Sequence, residues 1–268
     1  MRDPTPLVPA LPDPLDGFRL EIDAERQRAD VILDRPPLNV ITMAEREELR
    51  AAFEVLDADP RIRVVVLRAA GEHFSSGGEI AGFLEASPGH VSRLAWNIAA
   101  PARCRHPVVA ASRGYCFGVG FELALACDFR IVSETCLYAL PEQRLGQIPG
   151  SGGAARLQKM LGIARAKDIV MRSRRIPGRQ AQEWGVASAC VGDGELEPAT
   201  DALVEELRAL PPLAQRTAKR LLNDIEDAPL SLAIELEGQA YGRLRGSDDF
   251  REGVEAFRQK RRPNFRGT

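Results

Sequence analysis

Two glutamates, Glu122 and Glu142, lie in stretches of the chain that are otherwise mostly apolar residues and glycine. A carboxyl group in such surroundings loses hydration, so its pKa rises and it can exchange protons near neutral pH. Gly118, Val119 and Gly120 come immediately before the apolar run Phe121–Cys127, which reads as a buried helix. A glycine-rich opening to a helix presents unpaired backbone N–H groups and a positive dipole end. It is a place to hold a developing negative charge. Upstream, Gly77 and Gly78 let a second stretch of backbone approach a ligand closely. The combination points to acid–base work on a group whose oxygen gains charge. A structural alternative is a buried ion pair, with Arg130 or Arg144 as the partner of Glu122.

The elements that must position these groups follow from periodicity. Phe18–Ile22 and Ala29–Leu33 read as a hairpin, and Val64–Leu67 as a strand covered on both faces. Thr42 is a good N-cap for a helix to about Asp57, with Met43, Leu49, Phe53 and Leu56 on one side. Residues 81–105 read as a mobile loop leading into a helix around 90–103. A strand over Val108–Ser112, a helix from 119 to about 127, and strands over Phe129–Val132 and near 137–139 follow. Gly150-Ser-Gly-Gly153 lacks the spacing of a dinucleotide loop and reads as a turn opening a helix. Helices are expected over 151–161, over 163–171 and after Gly178, with a last strand over Val186–Val191. From Glu195 onward the pattern is helical throughout. The expected organisation is an arm over 1–16, flexible and carrying five prolines to Gly17, an α/β core over 17–195, and a helical region over 196–268.

Composition excludes several classes. The formal net charge is −2 and four of the 36 basic residues are lysines, so no global field draws nucleic acid or an anionic membrane. No apolar run approaches the roughly 20 residues of a membrane span. Five cysteines without a CxxC pair fit a reducing, cytoplasmic setting. His73, His90 and His106 lack helical ligand spacing, so no metal is expected. There is no G-x-S-x-G, and Cys116 has no histidine nearby in sequence to activate it.

Three motifs occur in order: Phe74-Ser-Ser-Gly-Gly-Glu-Ile80, Gly114-Tyr-Cys-Phe-Gly-Val-Gly-Phe-Glu-Leu-Ala124, and Pro141-Glu-x-x-Leu-Gly-x-Ile-Pro-Gly-x-Gly-Gly153. Together they resemble the enoyl-CoA hydratase/isomerase (crotonase) family. The resemblance runs from the Asp34-Arg-Pro-Pro loop to the terminal Phe257–Phe265 segment, about 230 residues. It implies a ββα spiral core with a C-terminal helical trimerisation region, assembling as a homotrimer or a dimer of trimers. It implies an acyl-CoA thioester substrate and no separate cofactor, coenzyme A being part of the substrate. By motif position, Gly78 and Val119 would supply the oxyanion-hole N–H groups, and Glu122 and Glu142 the two catalytic carboxylates. Retention of both favours a hydratase acting on a 2-enoyl-CoA. Isomerase, hydrolase or lyase chemistry of the same family is the alternative, and a non-enzymatic RNA-binding role lacks the clustered basic face it needs. The resemblance also assigns Arg35, Gly78, Ile80 and Lys260 to coenzyme A. Two departures stand out: Glu79 replaces the usual aspartate, and Ala81 the lysine of some hydratases.

Overall fold

A computed structural model describes residues 11–268. Six strands form the main sheet: β1 (Phe18–Asp23), β2 (Arg28–Leu33), β3 (Val64–Ala69), β4 (Val108–Ser112), β6 (Phe129–Ser133) and β9 (Ala189–Val191), in that spatial order. Only the β1–β2 hairpin is antiparallel; every later pair in this sheet is parallel. Val64, Val65, Val66 and Leu67 are fully buried, as a strand with both faces covered requires. One face packs on the larger core; the other packs Val64, Val66, Val109 and Ile131 against Leu196, Val204 and Leu207 of helix α8 (Leu196–Arg208).

A second, three-stranded sheet joins β5 (Tyr115–Phe117), β7 (Leu137–Ala139) and β8 (Ile176–Pro177). The two sheets and the helices that alternate with their strands, followed by a run of helices, make the expected α/β core with a C-terminal helical region. Neither β5 nor β8 was expected: three and two residues are too short for an alternation to register. The last main-sheet strand is also shorter than Val186–Val191, because Val186 and Ala187 fold back to the carbonyl of Ala181.

Helix α1 (Met43–Ala58) opens with a complete capping box between Thr42 and Glu45 and buries Leu49, Ala52, Phe53 and Leu56. The helix expected around 90–103 is present as α3 (Pro88–Ile98) and α4 (Ala100–Arg103), and the stretch expected as a loop before it also holds a short helix, α2 (Ala81–Glu85). Ser87 caps α3 by accepting from His90 N, Pro88 occupies the first turn, and Leu94 and Ile98 are its buried anchors. Helix α5 (Val119–Leu125) is buried at every position. Its Phe121 stacks on Tyr138 of β7 with ring centroids 4.2 Å apart, tying it to the second sheet. Helix α6 (Gly153–Met171) breaks at Gly162, whose φ of 77° separates the two helices expected there.

After α7 (Gly178–Glu183) and α8 come α9 (Pro212–Ile225), α10 (Leu230–Leu244) and α11 (Asp248–Gln259). Lys219 of α9 pairs with Asp128 at 2.7 Å and donates to the carbonyls of Pro101 and His106. Part of the expected arm, residues 1–10, lies outside the described residues. Its remainder is anchored rather than free: Leu11 and Leu15 pack on the core, and Asp16 pairs with Arg35 at 2.7 Å.

Candidate functional site

The segment after β3 is clamped from two sides. Ser75 exchanges backbone hydrogen bonds with β5, its N donating to Tyr115 O at 2.8 Å and its O accepting from Phe117 N at 2.9 Å. On the other side Ile41 N donates to Gly77 O and Glu79 N to Ile41 O. Gly77 turns between them with φ +117°, a conformation that side chains resist. The N–H of Gly78 is left over: among the described residues it has no backbone partner.

The second free donor arises at the start of α5. Gly118 takes φ +51° and spends its own N–H on Ala139 O at 2.9 Å. Val119, the first helical residue, is one of the orphan donors every helix start leaves, and among the described residues no backbone carbonyl outside the helix takes its N–H. Gly120 brings α5 against the clamped segment, since a Cβ there would lie 2.6 Å from Ser75 Cβ. Gly78 and Val119 thus end on two segments held together by Ser75, Gly77 and Gly118.

Glu122 is 3% exposed, on the first turn of α5. Its Oε1 accepts from Ser151 N at 2.7 Å and from Gly153 N at 3.0 Å, the opening of α6. Burial pushes its pKa up; those two N–H groups, then the fields of Arg46 and Arg156, pull it back. Neither Arg130 nor Arg144 is its partner. Arg130 donates to the carbonyls of Val186 and Cys127, and Arg144 is exposed on a surface turn.

Glu142 opens a 3₁₀ turn, Glu142–Leu145, directly after the second sheet. Its Oε1 faces Gly118, where a Cβ would lie 3.2 Å away, and its Oε2 is sealed without a hydrogen-bond partner. Burial raises its pKa to about 7, with the nearby charge of Glu122 adding to the rise. The two carboxyl groups therefore differ in kind. One is held by fixed donors that favour its charge; the other has nothing but its own backbone N–H to do so. Such a divergence is how one site obtains a base and an acid from the same residue type.

Of the remaining expected residues, Ile80 stands at the N-cap of α2, next to Gly78 and Glu79 in the chain, and is 58% exposed. Arg35 is engaged by Asp16 and Glu45, with its side chain 32% exposed. Lys260 is the left-handed C-cap of α11. Outside that set, Trp96 is largely exposed beneath the guanidinium of Arg103. Tyr115 is stacked between His73 and Phe117, and Cys116 is fully buried. Sequence reasoning missed the two N–H donors of Ser151 and Gly153, and it missed Arg46, a buried arginine of α1 against Gly78. Arg46 had a signal: with Leu49, Phe53 and Leu56 it follows the spacing of the buried stripe. No group of three or more His, Cys, Asp or Glu side chains able to hold a metal occurs among the described residues, and no helix among them is long and apolar enough to cross a membrane.

Comparison with known proteins adds an independent line. The sequence profile described as enoyl-CoA hydratase/isomerase matches residues 24–268. A carnitinyl-CoA dehydratase of Salmonella arizonae is 36% identical over 255 residues, covering 89% of this chain and 94% of the relative. An enoyl-CoA hydratase crystal structure from Bacillus anthracis superposes with a TM-score of 0.88 at 30% identity, covering 94% of this chain and 100% of that one. An enoyl-CoA hydratase subunit from Geobacillus kaustophilus reaches 0.89, also at 30% identity, over 94% and 98% of the two chains.

Proposed function

The chain belongs to the enoyl-CoA hydratase/isomerase family, and we propose that it is a hydro-lyase that adds water reversibly across the 2,3 double bond of a 2-enoyl-CoA. The observation that carries this reading is the pair of unlike carboxyl groups beside two free backbone donors. The thioester oxygen binds the N–H groups of Gly78 and Val119, where it gains charge as water attacks the β-carbon. Losing one such donor typically raises the barrier by about 3–4 kcal/mol. Glu122, as carboxylate, orients the water and takes its proton while the hydroxyl joins the β-carbon. Glu142, as acid, delivers a proton to the α-carbon. Run backwards, the same groups dehydrate a 3-hydroxyacyl-CoA, the direction named for the carnitinyl-CoA relative.

In this reading Arg35, Gly78, Ile80 and Lys260 serve coenzyme A, which enters as part of the substrate, with no further cofactor. Lys260 is distant in sequence from the other three and would act from the C-terminal region, in its own or a neighbouring subunit. Helix α10 exposes Leu230, Ile234 and Tyr241, which supports assembly as a homotrimer or a dimer of trimers. The enzyme would work in the cytoplasm.

The test is loss of the ultraviolet absorbance of the conjugated enoyl thioester, with product identified by chromatography, for wild type, Glu122→Gln and Glu142→Gln. The reading predicts 3-hydroxyacyl-CoA from wild type and severe losses in both variants. Migration of a 3-enoyl double bond with no hydration would replace it with an isomerase, and release of free coenzyme A with a hydrolase.

A further inference from the structure

Arg46 is 4% exposed and makes no ion pair among the described residues. Its Nε is sealed without a hydrogen-bond partner, and its Nη groups make no hydrogen bond among the described residues. Its neighbour Glu45 is spent on Arg35 and on the backbone of Thr42. Glu122 and Glu45 act on Arg46 only at long range, too weakly to offset the cost of burying its charge. A guanidinium cannot shed that cost by losing its proton, so a buried arginine without an acceptor is expensive.

Its location is specific. The guanidinium lies over the ring of Phe83, with Cζ 5.0 Å from the centroid, and a Cβ at Gly78 would collide with Nη2. The planar fork of the guanidinium therefore lies between Phe83 of α2 and the glycine whose N–H is free, within the field of Glu122. The fork matches a carboxylate in bidentate fashion. Coenzyme A phosphates are not its target, because they lie a full pantetheine arm away from a thioester carbonyl seated at Gly78.

We propose that Arg46 is a specificity-determining residue that binds a carboxylate on the acyl group, so the preferred substrate is a short-chain enedioyl mono-CoA thioester. The chain is short because Arg46 touches the residue proposed to hold the thioester oxygen, so only a few carbons separate carbonyl and carboxylate. A neutral acyl tail would leave the guanidinium buried without a partner, and a cationic one would be repelled by it. This proposal rests on the seating of the thioester given under Proposed function.

The test separates binding from turnover. Isothermal titration with two unreactive saturated thioesters, glutaryl-CoA and butyryl-CoA, measures the carboxylate preference of wild type, Arg46→Met and Arg46→Lys. Methionine keeps a stem against Phe83, and lysine keeps a charge without the fork. Wild type is expected to bind glutaryl-CoA about 10- to 100-fold more tightly than butyryl-CoA, the range for hydrogen bonds to a charged group. The ratio should collapse toward one in Arg46→Met and be partly retained in Arg46→Lys. Hydration of glutaconyl-CoA against crotonyl-CoA should show the same ratio in kcat/KM. Equal affinity of wild type for both saturated thioesters overturns the proposal, as does a loss in Arg46→Met that is equal for both. The wild-type comparison stands even where a variant fails to fold. If wild type prefers glutaryl-CoA yet hydrates neither enoyl thioester, the hydratase reading fails and the Arg46 assignment survives; hydration of both without preference does the reverse.

Discussion

The pH dependence of turnover follows from the two carboxyl groups and is the sharpest test of their roles. In the proposed mechanism, hydration begins with a proton on Glu142 and none on Glu122; dehydration begins with the proton on Glu122 and none on Glu142. In both directions the pair carries one proton in total. Glu142 is raised to about 7, first by burial and then by the charge of Glu122, so the proton of the singly protonated pair leaves near pH 7. The sign follows: an acid with a raised pKa is protonated below that value, so the active form is lost as pH rises through about 7. One unit is 1.36 kcal/mol, so two units above the midpoint leave about 1% of the active form, roughly a hundredfold fall in kcat/KM. In that mechanism the acid limb belongs to Glu122, which burial raises and the N–H groups of Ser151 and Gly153 restrain. Initial hydration rates from pH 5 to 9.5 at low substrate concentration measure the profile. The dehydration profile of the same enzyme must show the same alkaline limb, because the free enzyme titrates identically. A hydration profile flat to pH 9 refutes the assignment of Glu142 as the acid.

Three further outcomes follow. Val119→Pro deletes one proposed oxyanion donor at a first-turn position where helices accept proline; kcat should fall 10²- to 10³-fold with the thermal midpoint little changed, and an activity within threefold of wild type would remove Val119 from the site. Gly120→Ala drives a Cβ to 2.6 Å from Ser75 Cβ, which should cost about 1–3 kcal/mol of stability in urea unfolding and lower kcat by parting the two donor segments; unchanged kinetics would show that their spacing does not matter. His106 is fully buried, both ring nitrogens lack partners, and burial lowers its pKa to about 4. The unfolded chain therefore binds the extra proton between about pH 6.5 and 4, and the stabilisation present above 6.5 is lost across that window, by up to about 3 kcal/mol. Comparing urea midpoints of wild type and His106→Phe at pH 7.5 and 4.5 isolates this from carboxyl groups titrating in the same range; a parallel pH response of the two proteins would rule it out.

What could be read from the sequence divides along physical lines. Glu122 and Glu142 were legible because charge amid apolar residues and glycine is costly and local, and the glycines beside them announce close backbone approach. The helix from Met43 was legible because Thr42 and Glu45 make a capping box within four residues. The partners of Glu122 were not, because Ser151 and Gly153 reach it across 29 and 31 residues through backbone atoms that any residue possesses. The strands β5 and β8 were hidden for a related reason: at three and two residues, their identity comes from the neighbour they pair with rather than from any period of their own.

Arg46 is the instructive case, because its signal was present and ambiguous. Arginine is common on helix surfaces, and Glu45, Glu47 and Glu48 around it look like a solvated face. Its spacing to Leu49, Phe53 and Leu56 puts it on the buried stripe instead. A core position spent on a charge weakens the fold, and here no internal carboxylate recovers the cost. The same reasoning separates Arg46 from Arg28, which is also largely buried but is satisfied by Asp30 and Asp201 and so explains itself as structure. A buried cation beside the free N–H of Gly78, with its Nε unspent, is the observation that the proposed acyl carboxylate would complete.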